Sequence, residues 1–215
     1  MKKAVVLFSG GQDSMVTLYQ ALADGFEVTA LIINYGQKHA RELDCAKLIV
    51  KASPITKYMF LHTGMITSLV TSSLTQGAHT SRSDGLPDTF VPGRNIIMLS
   101  LAGALAYEIG AGNIYIGVNQ QDYSGYPDCR ASFISAMQFA LTVGLDKSIV
   151  IWAPLQFLSK KEIVLKAVDL NCFEMFKHTH TCYKGDHPPC GTCASCLLRA
   201  KGFKEANLED PLLAD

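Results

Sequence analysis

Ala4-Val5-Val6-Leu7-Phe8-Ser9-Gly10-Gly11-Gln12-Asp13-Ser14-Met15-Val16-Thr17-Leu18 joins an apolar run, a glycine turn and the start of a helical repeat. Unbroken apolarity from Ala4 to Phe8 predicts a strand covered on both faces. Met15, Leu18, Tyr19 and Leu22 fall on one face of a helix. A buried strand that turns directly into a helix presents unpartnered backbone N–H groups and the positive end of the helix dipole. Two glycines let the backbone curl round an anion with no Cβ in the way. Ser9 and Ser14 add hydroxyls on either side. The reading is a phosphate cradle at the carboxyl end of a strand, set against the plainer one of a capped strand–helix turn. No Gly-Lys-Ser/Thr follows at P-loop spacing, and the Rossmann glycine pattern is absent.

Outward from this stretch the chain alternates strand and helix. Glu27–Tyr35 predicts a second buried strand, and 38–51 a helix with Leu43, Ala46, Ile49 and Val50 on one face. His39 and Glu42, three apart, share a face near that helix's start and point at the strand ends. Lys57–His62 is a third strand. From Thr63 to Val91 periodicity dissolves, which predicts a lid or binding loop, with a short helix around Met65–Ser72 and a mobile span at 77–92. Pro92 suits the entry to a long apolar helix, Asn95–Ile109. Arg94 stands where an anion would meet that helix's terminus. Asn113–Val118 is a fourth strand, running into Asn119–Arg130, a polar recognition loop rich in amides, carboxylates and tyrosines. Ala131–Val143 reads as a helix and Ile149–Trp152 as a fifth strand. Ser159 and Glu162 form a capping box for a helix to Leu170, which brings either Lys160 or Lys161 to the ligand face. The order predicts an α/β fold: a doubly wound, mostly parallel five-stranded sheet flanked by helices.

Composition narrows the partners. The 215 residues carry 19 basic and 19 acidic side chains, so nothing offers a polyanion a basic surface; nucleic acid is not expected as a partner. No apolar run reaches the roughly 18 residues needed to span a bilayer, and the N-terminal apolar stretch ends inside the glycine turn, unlike a signal peptide. A cytoplasmic protein is expected.

Seven cysteines are distributed unevenly. Cys182, Cys190, Cys193 and Cys196 crowd together, while Cys45, Cys129 and Cys172 are scattered. An odd count with a tight cluster argues for metal and against disulfides. Four thiolates can close a tetrahedral zinc shell, which leaves no open position for water and marks the ion as structural. His178, His180 and His187 are alternative ligands nearby. The expected division is an α/β domain carrying the phosphate cradle over 1–177 and a zinc-binding segment over 178–215 packed on the same domain. Cys129, between Asp128 and Arg130, reads either as an activated nucleophile or as a small buried hydrophobe.

The glycine turn resembles the SGGxDS loop of the PP-loop ATP pyrophosphatases, an adenine nucleotide hydrolase-like fold. Further motifs are SGGQDS (9–14), YGQKHxxE (35–42), FVPGRN (90–95), GVNxxDxxGYPDCR (117–130), SKxEI (159–163) and CGxCxxCxxR (190–199). Together they resemble the 7-cyano-7-deazaguanine synthases of queuosine biosynthesis, and they span most of the chain in order. Only the spacer between Cys182 and Cys190 departs, being slightly short.

That resemblance implies an ATP-dependent ligase that turns 7-carboxy-7-deazaguanine and ammonia into a nitrile. The route runs through adenylated intermediates and an amide, in a homodimer. It implies that residues 8–18 hold ATP and that Asp13 is a candidate Mg²⁺ ligand. Asp13, Ser14, Arg94 and one lysine, Lys160 being preferred, would serve the phosphate chemistry. The substrate's guanine-like edge offers two N–H donors side by side. A carboxylate accepts both, so Asp122 or Asp128 reads it while Tyr123 or Tyr126 stacks on the ring. Two other readings compete: a PP-loop enzyme acting on tRNA, and a non-catalytic zinc module that senses ATP.

Overall fold

The computed structural model describes residues 2–37, 41–64, 69–70, 72–75 and 84–214, with backbone only at Tyr123 and Ser124. Most of the expected helix around Met65–Ser72, part of the expected mobile span and His39 lie outside the described residues. Five strands form one sheet: β1 (Lys3–Leu7), β2 (Glu27–Asn34), β3 (Lys57–His62), β4 (Asn113–Tyr115) and β5 (Val150–Trp152). Their order is β3-β2-β1-β4-β5, and every pairing is parallel. Lys3 lies beside Glu27, and Ala4 lies beside both Val28 and Asn113.

The seven described α-helices are α1 (Gln12–Ala23), α2 (Arg41–Ala52), α3 (Arg94–Glu108), α4 (Gln120–Gly125), α5 (Ala131–Gly144), α6 (Lys160–Asp169) and α7 (Ala194–Ala206). Both faces of the sheet are covered. Ala4 and Val6 of β1 join Met15, Leu18, Ile49, Ile163 and Phe203 in one core; Val5 and Leu7 point the other way, to Leu99, Ile134 and Leu141. Two-sided burial explains why β1 and β2 are apolar at nearly every position rather than at alternate ones. Strand order reverses between β1 and β4, and a crevice opens there at the strands' carboxyl ends.

Two expectations require correction. Residues 119–130 are not an open loop: α4 and a 3₁₀ turn (Pro127–Cys129) occupy most of them. Asn119 caps α4 by accepting the N–H groups of Gln121 (2.9 Å) and Asp122 (3.4 Å), while the Asp122 carboxylate accepts the Asn119 N–H (3.3 Å). This is a capping box with an amide in place of the usual hydroxyl. β4 also ends at Tyr115 rather than Val118. The box expected at Ser159 and Glu162 is present.

Candidate active site

The glycine turn is shaped by what surrounds it. Gly10 has φ +86°, and a Cβ there would sit 2.3 Å from the Glu42 carbonyl oxygen and 2.6 Å from the Ala46 nitrogen. No side chain fits between the turn and α2. The two flanking serines brace the loop: their hydroxyls lie 3.1 Å apart, the Ser14 hydroxyl donates to Gly11 O (3.0 Å), and the Gly11 N–H donates to the Ser9 hydroxyl (3.2 Å). No side chain caps the N-terminus of α1, so its first-turn N–H groups face the crevice. Gln12 is 1 % exposed, yet its Nε2 has no hydrogen-bond partner among the described residues, and Thr17 Oγ1 likewise has none. Unpartnered buried polar atoms beside an open helix terminus suit a bound anion.

Asp13 starts a polar chain across the crevice. Lys160, first residue of α6, donates to both of its carboxylate oxygens (2.9 and 2.7 Å). Fully buried Asn119 donates through Nδ2 to Asp13 (3.1 Å) and to Asp122 (2.7 Å). Lys161 is exposed, so of the two lysines Lys160 is the one turned toward the cradle. Burial, and then the Asp13 carboxylate, push Asp122 up to about 6 against the pull of Lys160. Helix α7 helps set Lys160: a Cβ on Gly202 would lie 2.7 Å from the Lys160 Cβ, so only glycine permits this approach.

Arg94 opens α3 and lines the crevice. Burial lowers its pKa, but the Tyr35 hydroxyl and the Asp128 carboxylate more than compensate, and the guanidinium stays charged. Asp122 and Asp128 part company here. Asp122 lines the crevice, whereas Asp128 is buried outside its lining and receives the Asn95 backbone N–H at 3.3 Å. Tyr126 lines the crevice with its hydroxyl 2.6 Å from Thr89 Oγ1; the side chain of Tyr123 lies outside the described residues. Cys129 is buried, and its thiol is pushed up by desolvation and by Asp122 and Asp128, which is unlike an activated nucleophile.

The crevice holds an inner cavity of about 290 Å³ that adjoins one of about 570 Å³, with Asp122, Tyr126 and Tyr183 lining both. Glu42, expected from sequence to point at the strand ends, does line this wall, and Asn119, expected in the recognition loop, stands behind it; Tyr183 is the lining residue that sequence reading missed. The polar segment's composition could have signalled the Asn119 cap through its N-x-x-D spacing. Tyr183 gave no signal, because only the path of the C-terminal segment brings it there.

That segment reaches the cradle directly. The His180 backbone N–H donates to Gly10 O (3.2 Å), and its ring Nε2 lies 3.1 Å from the Cys182 carbonyl oxygen, leaving it outside the cysteine cluster. The sulfurs of Cys182, Cys190, Cys193 and Cys196 all lie within 4.8 Å of one another, a set that could hold a metal ion. Thr192 N–H and hydroxyl and the Cys193 N–H all point at the Cys190 sulfur, holding its thiol down to about 6. The first ligand is therefore in position despite its short spacer. Arg199, 4 % exposed, grips Asp210 through two bonds (2.6 and 2.8 Å), and donates to Thr179 Oγ1 (2.7 Å) and Phe176 O (3.1 Å).

Comparison with known proteins agrees with this architecture. A 4-thiouridine synthetase crystallised with RNA and ATP superposes with a TM-score of 0.56 at 17 % identity, covering 96 % of this chain and 50 % of that one; at such identity it supports the fold alone. The 7-cyano-7-deazaguanine synthase of Chromobacterium violaceum is 43 % identical over 99 % of this chain and 93 % of its own length. That of Laribacter hongkongensis is 41 % identical over 98 % and 93 %. The family described as Queuosine biosynthesis protein QueC matches residues 3–207. With the glycine cradle, the crevice and the cysteine cluster all inside the matched span, this chain belongs to the QueC family of queuosine biosynthesis proteins.

Proposed function

We propose that this chain is an ATP-dependent 7-cyano-7-deazaguanine synthase, joining ammonia to 7-carboxy-7-deazaguanine and dehydrating the resulting amide to the nitrile. The observation that carries the reading is the unbroken chain Lys160–Asp13–Asn119–Asp122. It ties the phosphate cradle to a carboxylate on the wall of the larger cavity. Each dehydration requires an oxygen to become a leaving group, and adenylation does this twice, on the acid and then on the amide. The N–H groups of the first turn of α1 receive the phosphates of ATP, and Ser14 keeps the turn in shape. Lys160 and Arg94 balance the charge of the departing pyrophosphate. Asp122 accepts the two N–H groups of the guanine-like edge, and Tyr126 with Tyr183 packs on the ring. Asp128 has a structural task at the start of α3, which leaves the reading of the base to Asp122.

The donor sets suit two metals. Asp13 supplies a hard oxygen facing the phosphate site, the kind of ligand Mg²⁺ takes together with nucleotide phosphates. When bound there, Mg²⁺ neutralises charge on the phosphates. Cys190 and Cys196 sulfurs are 3.9 Å apart, close to the edge of about 3.8 Å of a tetrahedron with Zn–S bonds of about 2.3 Å. Zinc in a closed four-thiolate shell stiffens residues 178–215 against the 1–177 domain.

A homodimer is supported by α5, which has no charged residue and leaves Phe139 72 % exposed. Seven unpaired cysteines accord with the reducing cytoplasm. Among the described residues no helix is long and apolar enough to cross a membrane. Equal numbers of basic and acidic residues favour a small substrate over tRNA. Mass spectrometry after incubation with ATP, Mg²⁺, ammonium and 7-carboxy-7-deazaguanine tests the reading. The nitrile is expected, with AMP and pyrophosphate; AMP release with no nitrile, or turnover only with tRNA, contradicts it.

A further inference from the structure

Of the three carboxylates lining the inner cavity, Asp13 is held by Lys160 and Asn119, and Asp122 by Asn119. The third, Glu42, has no task in the chemistry described so far. It sits in the first turn of α2, its backbone packed on Gly10, and its side chain shares the cavity wall with Tyr35 and Arg94. Among the described residues no hydrogen bond holds its carboxylate, and Arg94 acts on it only through space. The titratable groups lining the same cavity are Tyr35 after β2, Asp13 on α1, Arg94 on α3, Asp122 on α4, Tyr126 and Cys129 just beyond it, Lys160 on α6, and His180, Cys182 and Tyr183 of the C-terminal segment.

We infer that Glu42 is the catalytic residue of the ammonia step, taking one proton from an ammonium ion bound in the cavity beside the adenylated carboxyl. The inference rests on the nitrile-synthase reading above. Ammonium, the prevailing form in neutral water, has no lone pair with which to attack. Once one of its protons passes to the Glu42 carboxylate, the freed nitrogen pair forms the C–N bond at the acyl carbon. The bond from that carbon to the AMP oxygen breaks, and its electron pair leaves with AMP. The nitrogen then sheds a second proton to solvent. One acyl adenylate and one ammonium thus give one amide, one AMP and two protons, with no change of oxidation state. Desolvation at the cavity wall pushes the Glu42 carboxyl up to about 7, Arg94 opposing. A base that titrates near the working pH both accepts and returns a proton readily.

The test is Glu42→Gln, compared with Glu42→Asp, in two assays. Acid-dependent ATP–pyrophosphate exchange reports adenylation alone and is expected within about threefold of wild type. The kcat/KM for ammonium is expected to fall at least about 100-fold in Glu42→Gln, with partial recovery in Glu42→Asp. In the wild type, kcat/KM for total ammonium rises to a plateau above about pH 7. A continued climb in step with free ammonia overturns the inference. So does an equal loss in both assays, or a wild-type ammonium dependence in Glu42→Gln. A wild-type protein with no acid-dependent exchange removes the nitrile-synthase reading itself, and this inference with it, an outcome distinct from a failure confined to Glu42→Gln.

Discussion

The glycine turn and the four-cysteine segment lie against each other yet are built in opposite ways. Residues 9–14 are held by sterics and bonds of short sequence separation, between a buried strand and the helix that follows it. Residues 178–210 have little regular structure before α7. They are fixed by a buried arginine, a cysteine cluster and a single backbone bond from His180 to Gly10. The turn keeps its shape through its two serines and its packing on α2, which leaves its backbone N–H groups and Asp13 turned to the crevice. The segment spends its polar side chains on its own fold and contributes a wall, through Tyr183, and a brace, through Gly202 against Lys160.

This contrast predicts separable losses. The largest falls on the turn: Asp13→Ala is expected to lower kcat by about 1,000-fold or more, since it removes the centre of the Lys160–Asn119 network and a group facing the phosphates. Its thermal unfolding should stay close to that of the wild type. A rate within tenfold of wild type, measured at saturating ATP, breaks the assignment.

The segment should fail the other way. Arg199→Met strands Asp210, whose partner side chain and own side chain are 4 % and 7 % exposed. Breaking a pair this buried costs about 3–5 kcal/mol, roughly 6–20 °C in melting temperature for a chain of this size. Cys190→Ser is expected to lose about one metal ion per chain and to melt earlier as well, because removing one thiolate weakens binding that is coupled to folding. Calorimetry and metal analysis on the same preparations check both. Full metal content in Cys190→Ser would contradict the four-thiolate shell.

How much of this was legible in the sequence follows the same division. β1 and β2 were read to within a residue because two-sided burial leaves unbroken apolar runs, the exposed edge strand β3 from its short run between polar segments, and α6 because Ser159 and Glu162 form a familiar box. The cradle is contiguous, so its residues could be named from their order alone. Helix α7 was missed: it buries Cys196, Arg199 and Gly202 beside Phe203, so its core face carries no apolar stripe. α4 was missed because an asparagine opens its box. Asp122 and Asp128 sit six residues apart in one polar stretch, and only the fold shows that the first lines the crevice while the second is buried at the start of α3. Tyr183 reaches the crevice wall from the far end of the chain, a proximity that no local pattern records.

The smallest expected effect sits where the two regions share a wall. Asp122→Asn swaps an acceptor for a donor facing donors, which costs about 1–3 kcal/mol. The substrate KM should rise about tenfold while the ATP KM barely moves. The wild-type kcat/KM for substrate should also fall as pH drops through about 6, where the raised Asp122 carboxyl takes up its proton. Asp122→Asn should lose that limb. An unchanged substrate KM in this variant passes the reading of the base to another residue.

The central claim is that one crevice adenylates the same substrate twice. Rapid-quench measurement of AMP and nitrile in single turnovers tests it most directly. Two AMP are expected per nitrile, with the amide rising and decaying between them. One AMP per nitrile, or an amide that accumulates and is never consumed, contradicts the account.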